Sequence, residues 1–230
     1  MKIACLKNHP VEGPGMIVDW SEERAIAMEV IEADSLEHKD SLHFDALVIM
    51  GGPMSVHDRS EDPRVAAVVK VIREAFEDGK PILGICLGAQ MLATVAGGEV
   101  IAGSQKEIGW YPVEISSSAR SVFSGGDEPI VVFHWHGEQI VAPSQAEILA
   151  QTDVCPVQAF RVGDHQWGLQ FHLEVNAKSV EEMVTAFSDE LQEGGAGVAS
   201  ASEIREGVLT YSKHCREVLF RFLDLWKESW

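Results

Sequence analysis

The residues Gly84-Ile85-Cys86-Leu87-Gly88-Ala89-Gln90 carry the clearest chemical signal in the chain. Pro81-Ile82-Leu83 before them reads as the end of a buried strand, and Leu87 to Ala96 reads as a helix. A cysteine with glycines two residues before and two residues after it is thereby set on a tight strand-to-helix turn. That is the geometry of a nucleophile elbow, with sulfur where the Gly-x-Ser-x-Gly hydrolases carry a hydroxyl. The turn strains the backbone and crowds its flanks, which is why small residues are needed there. It also aims the thiol at a helix N-terminus, where unpaired N–H groups favour a thiolate. A buried structural cysteine beside a glycine-capped strand is the plainer alternative. The paired glycines and the trailing Gln90 favour the nucleophile.

A catalytic thiol needs a base, and the base needs an orienting group. Gly168-Leu169-Gln170-Phe171-His172-Leu173-Glu174 offers both. A spacing of two on extended chain puts His172 and Glu174 on one side, so Glu174 can hold one ring nitrogen while the other faces Cys86. His-x-Glu alone is a weak signal, since a surface histidine beside a glutamate is common; beside the elbow it reads as a Cys-His-Glu triad. The oxyanion of a tetrahedral intermediate needs donors as well. The N–H of Leu87 is one, and the Gly51-Gly52-Pro53 turn, with Gly52 as donor, follows directly on the apolar run Asp45 to Met50. An ordinary glycine-rich turn is the alternative there. Losing one such donor costs roughly 10²- to 10³-fold in rate.

The elements that must position these groups alternate. Strand-like segments at Lys2–Leu6, Ala27–Ile31, Asp45–Met50 and Ile82–Ile85 are separated by helical turns at Asp19–Arg24 and by an amphipathic helix. That helix opens at Pro63, repeats Val65, Val68, Val69, Ile72 and Phe76 at helical spacing, and ends at Gly79. The order predicts an α/β fold with a mainly parallel sheet flanked by helices. From Glu99 to Gln170 the pattern becomes short strands at Tyr111–Ile115, Ile130–Phe133, Glu147–Ala150, Val157–Val162 and Gln166–Phe171, which predicts an added antiparallel portion. The end of the chain reads as C-terminal helices: one over Ala177–Gln192, a Gly194–Gly197 link, and one from Ser202 to about Lys227. Val218, Leu219, Phe222, Leu223, Leu225 and Trp226 give the last helix an apolar face that must pack on its own domain or on a second subunit, which leaves a homodimer open.

Composition narrows the partners. The chain has 230 residues, with 36 acidic and 18 basic ones and a formal net charge of −18. That charge repels phosphate backbones and anionic bilayers, so neither nucleic acid nor membrane is an expected partner. No apolar stretch approaches the length of a membrane span. The N-terminal apolar run is too short for a signal peptide. Cys5, Cys86, Cys155 and Cys215 are scattered, without CxxC or zinc-like spacing, which predicts a reduced, cytoplasmic protein without disulfides. His134 and His136, two apart on a strand, can share a face as metal ligands. No third ligand is evident nearby, so the expected role is pocket lining or structure, with no metal and no cofactor.

These residues together resemble the class I, triad-type glutamine amidotransferases, and among them the stand-alone proteins similar to the glutaminase domain of GMP synthase. The resemblance spans most of residues 1–175. It runs through Gly51-Gly52-Pro53-Met54-Ser55-Val56, Lys80 to Gln90, Glu107-Ile108-Gly109-Trp110-Tyr111-Pro112-Val113, Phe133-His134-Trp135-His136-Gly137-Glu138, Cys155-Pro156-Val157-Gln158-Ala159-Phe160 and Gly168 to Glu174, in that order. It implies a flavodoxin-like domain over 1–176 and a helical extension over 177–230 packed on it. It also implies that Cys86 attacks the side-chain amide of glutamine, leaving a γ-glutamyl thioester and releasing ammonia. By the same resemblance His172 protonates the ammonia and then activates water, while Gln90 and the Gly51-Gly52 backbone hold the glutamine and the Trp135-His136 region closes the pocket. Leu173 stands where the family usually has proline; leucine reaches the same extended geometry without strain. Nothing in the chain resembles a synthetase, and 54 residues after Asn176 are too few for an ammonia-accepting site, so an acceptor is expected on a separate synthetase subunit. The rival readings are a γ-glutamyl peptide hydrolase using the same triad, and a catalytically idle regulatory subunit.

Overall fold

A computed structural model describes residues 1–38, 42–123 and 129–230. The elements run β1 (Lys2–Lys7), α1 (Met16–Glu23), β2 (Ala27–Glu32), β3 (Ala46–Ile49), α2 (Pro63–Glu77), β4 (Ile82–Ile85), α3 (Leu87–Val95), β5 (Glu99–Ile115), α4 (Arg120–Phe123), β6 (Ile130–Val141), β7 (Glu147–Gln151), β8 (Ala159–Val162), β9 (Gln166–Leu169), α5 (Ala177–Ala186), α6 (Ser188–Glu193) and α7 (Ala201–Glu228). The strands of the described residues form one sheet in the order β2-β1-β3-β4-β9-β8-β7-β5-β6. Its first five strands are parallel, in the 2-1-3-4-5 order of flavodoxin-like folds. The rest are antiparallel.

Every residue of β3 and β4 is buried, as their unbroken apolar runs require of strands covered on both faces. On one face α2 and α3 pack Val68, Ile72, Leu92 and Ala93 against Leu47, Ile49 and Ile82. On the other, α1 and α7 pack Trp20, Leu219, Phe222 and Trp226 in one core with Ile3, Val48 and Leu83. The apolar face of α7 is thus buried within its own chain apart from Leu225, which is exposed. A third cluster joins β5 and β6 to α5 and to the start of α7 through Ile108, Phe133, Val180, Met183 and Ile204. α2 starts where the sequence places it, with Pro63 in its first turn and the Asp62 side chain accepting from the Arg64 N–H.

Two regions differ from the sequence expectation, the β5–β6 hairpin and the helix after Asn176. β5 and β6 are 17 and 12 residues long rather than short strands. Gly103 to Glu107 and Pro112 interrupt the apolar alternation, and the register shifts between Ala102 and Glu107, so pattern alone cuts the hairpin into pieces. The helix expected over Ala177–Gln192 breaks at Phe187, whose backbone leaves the helical region at φ −110°, ψ 28°. There the Phe187 ring lies against His9 and Trp135, with centroids 5.4 and 5.8 Å away. Those contacts come from other elements, so no local signal announces the break.

Candidate active site

The loops after β1, β3, β4 and β9 leave the same edge of the parallel sheet, at the carboxyl ends of the strands, where α/β folds bind ligands. Cys86 follows β4 with φ +50° and ψ −110° at the N-terminus of α3. A left-handed φ on a non-glycine residue is strained, and the surroundings fix it. The Cys86 N–H donates to the Leu169 carbonyl at 2.7 Å, and its carbonyl accepts from the Gln90 N–H at 3.0 Å. The flanking glycines are required by space. A Cβ on Gly84 would run into the Gly88 carbonyl, and one on Gly88 into the Ile49 carbonyl of β3.

His172 sits on an isolated antiparallel bridge with Phe133 of β6, just past β9. Its Nδ1 lies 2.7 Å from Glu174 Oε1, both side chains being buried. The Glu174 carbonyl accepts from the Met16 N–H at 2.8 Å, which ties this segment to the first turn of α1. The other ring nitrogen, Nε2, is buried and makes no well-formed hydrogen bond, yet Cys86 lies near enough that each group shifts the other. The thiol instead points at the Trp135 carbonyl, 3.7 Å away, and receives the Gln170 amide at 3.6 Å.

Electrostatics divide the pair. Burial raises the Cys86 pKa, and the His172 ring and the Leu87 N–H pull against it without cancelling it. Burial disfavours charge on His172 too, but the Glu174 carboxylate overrides it and holds the imidazole well above its usual pKa. Glu174 thereby makes the His172 ring a stronger base beside the sulfur, and the imidazolium formed when it takes the thiol proton stabilises the thiolate.

Around Cys86 lies a cavity of about 260 Å³ whose wall includes Gly52, Gln90, Trp135 and His136. Leu87 follows Cys86 at the first turn of α3. Gly51 is beneath this wall; a Cβ there would overlap Glu12 Oε2 and lie 3.4 Å from the Cys86 Cβ. The residues expected from sequence therefore converge. Others were not anticipated. Glu12 lines the cavity with Glu138, Phe187 and Glu190, and burial pushes its carboxyl up to about 7. Asn8 Nδ2 donates to the Met50 carbonyl at 2.6 Å and so latches the end of β3 that feeds the Gly51-Gly52 turn. Gln170 bridges Gln90 and Cys86, accepting from Gln90 Nε2 at 3.2 Å. Its spacing of two before His172 was a readable signal; Glu12, on a polar loop after β1, gives none.

The family model described as glutamine amidotransferase class-I matches residues 15–189, and the chain belongs to that family. It is 29% identical to the glutamine amidotransferase-like protein YfeJ of Salmonella typhimurium over 97% of this chain and 96% of that one. It is 36% identical to a glutamine-hydrolysing GMP synthase of Streptomyces avermitilis over 56% of this chain, which spans about a quarter (24%) of that relative's length. Among solved structures, a glutamine amidotransferase of Thermotoga maritima superposes with a TM-score of 0.88 at 27% identity, covering 99% of this chain and 98% of the other. One from Methylobacillus flagellatus gives 0.90 at 26% identity, covering 99% and 94%. The sequence expectation of an α/β class I amidotransferase fold is met. No helix among the described residues is long and apolar enough to cross a membrane.

Proposed function

We propose that the chain hydrolyses the side-chain amide of glutamine through a γ-glutamyl thioester on Cys86 and releases ammonia. The observation that carries this reading is the 2.7 Å contact between His172 and Glu174, with the free face of the imidazole turned to a thiol in an amino-acid-sized cavity. Cys86 Sγ attacks the amide carbon as its proton passes to His172. The oxyanion is held by the N–H groups of Leu87 and Gly52. His172 returns the proton to the leaving nitrogen, and ammonia departs. A water then gives its proton to His172 and attacks the thioester, the C–S bond breaks, and glutamate leaves as the thiol is restored. Gln90, the Gly51 backbone, Trp135 and His136 hold the substrate, and Glu174 fixes the tautomer and charge of His172. The nitrogen acceptor belongs to a synthetase, a reading supported by the glutamine-hydrolysing GMP synthases among the relatives. The four cysteines, none in a disulfide, support work in a reduced cytoplasm.

The test is ammonia release by purified protein from glutamine and from γ-glutamyl peptides, with mass spectrometry after treatment with a glutamine-analogue electrophile. Turnover of glutamine and an adduct on Cys86 are expected. Turnover of the peptides alone would replace the reading with a γ-glutamyl hydrolase. A folded protein that takes no label would make it an idle subunit.

A further inference from the structure

We infer that Glu107, His134 and His136 form a binding site for one first-row divalent cation of the zinc type, reached through a second cavity whose wall Glu107 forms. The inference does not rest on the thiol chemistry, although His136 also borders the cavity around Cys86. His134 and His136 point to one face of β6, and register pairs His136 with Glu107 and His134 with Gly109 on β5. The hairpin thereby supplies the third ligand that sequence spacing does not reveal. One ligand atom from each residue lies within 4.8 Å of the others, and all three side chains are buried.

The polar groups here are poorly served without an ion. His134 is fully buried, and neither ring nitrogen has a hydrogen-bond partner. The backbone of Tyr111 lies near it without good geometry. His136 Nδ1 is 3.0 Å from the Glu138 carbonyl, so that nitrogen carries the hydrogen. In the neutral ring Nε2 then aims a lone pair at Glu107 Oε2, 3.3 Å away, leaving two acceptors face to face. A cation between them removes the conflict. Their separation equals the edge, about 3.3 Å, of a tetrahedron around an ion with zinc-like bonds. Gln158 Nε2 donates to the same Glu107 oxygen at 2.7 Å, as an outer-shell partner that orients a ligating carboxylate does. The buried Gln158 Oε1 has no partner either.

The approach to the site is acidic. The cavity leading to Glu107 measures about 320 Å³. Glu107, Glu114 and Asp153 line it, with no basic side chain among the described residues of its wall. That lining draws cations.

The experiment uses the full chain carrying Cys86→Ala, which removes the competing thiolate, after dialysis against a chelator. Titration with Co²⁺ should give one equivalent, with the visible d–d bands of a low-coordinate nitrogen and oxygen site, displaced by Zn²⁺. Glu107→Gln and His134→Gln should each weaken binding by at least about 100-fold, since even outer-shell losses reach that size. Circular dichroism checks their folding. Absence of binding at micromolar Co²⁺, or affinity unchanged in either folded variant, would overturn the site and leave a His136–Glu107 ion pair. If the variants do not fold, X-ray absorption of the zinc-loaded Cys86→Ala chain decides. Two imidazoles in the shell support the site and fewer overturn it.

Discussion

At the scale of single residues, Cys86 and Glu12 share one cavity and pull its chemistry in opposite directions. The proposed reaction takes a proton from the thiol there, while the buried carboxyl beside it opposes negative charge on sulfur. Cys86→Ala should lower glutamine turnover by roughly 10⁴-fold or more and leave glutamine affinity, measured by calorimetry, close to that of the parent. Retained turnover would remove Cys86 as nucleophile. Glu12 sets a pH dependence of stability. Folded, it keeps its proton to about pH 7, whereas its ordinary pKa is 4.5. Between those values the folded state binds the extra proton, so Glu12 lowers stability as pH rises through that window. Glu12→Gln removes the loss. By calorimetry it should raise Tm over wild type at pH 8 by more than at pH 4. A gain independent of pH would show that burial of the charge is not the cause.

The elbow is decided at the scale of elements, because α3 and β3 pass close enough that only glycine fits at position 88. In Gly88→Ala the new methyl meets the Ile49 carbonyl, which is backbone and cannot rotate away. The cost should be about 3 kcal/mol in urea unfolding, the upper end of ordinary overpacking, with Cys86 alkylation altered in the surviving fold. A change below 1 kcal/mol, roughly the scale of a tolerated swap, would mean that the elbow has room to yield. The break between α5 and α6 acts at the same scale. It seats Phe187 on Trp135 and brings Glu190 to within 3.3 Å of the Trp135 indole nitrogen. Phe187→Ala should therefore raise KM for glutamine several-fold with a smaller change in kcat, measured by steady-state ammonia release. An equal fall in both kcat and kcat/KM would assign Phe187 to the chemical step instead.

Over the whole molecule, α7 closes the sheet on the side away from α2 and α3. Trp226 is 1% exposed and shares a core with β1 and β3. Its indole N–H donates to the His165 carbonyl at 2.9 Å. Trp226→Ala should cost about 3–5 kcal/mol in denaturant unfolding. A loss under 1 kcal/mol would leave the last helix as an appendage to a self-sufficient domain.

The sequence by itself determined what local rules encode. The strand-to-helix turn at Cys86 was legible because a left-handed residue between two crowded flanks demands glycine at 84 and 88. The His172–Glu174 pair was legible because a spacing of two on extended chain fixes a shared side, and β3 and β4 because strands buried on both faces tolerate no polar residue. Only the tertiary structure decided the rest. Glu12 enters the cavity because the loop after β1 ends on the same sheet edge as the elbow. The full length of β5 and β6 is set by pairing with each other rather than by their own alternation. Glu107 reaches His134 and His136 across that hairpin through register. Pairing register and loop placement depend on contacts distant in sequence, and no periodicity within a segment records them.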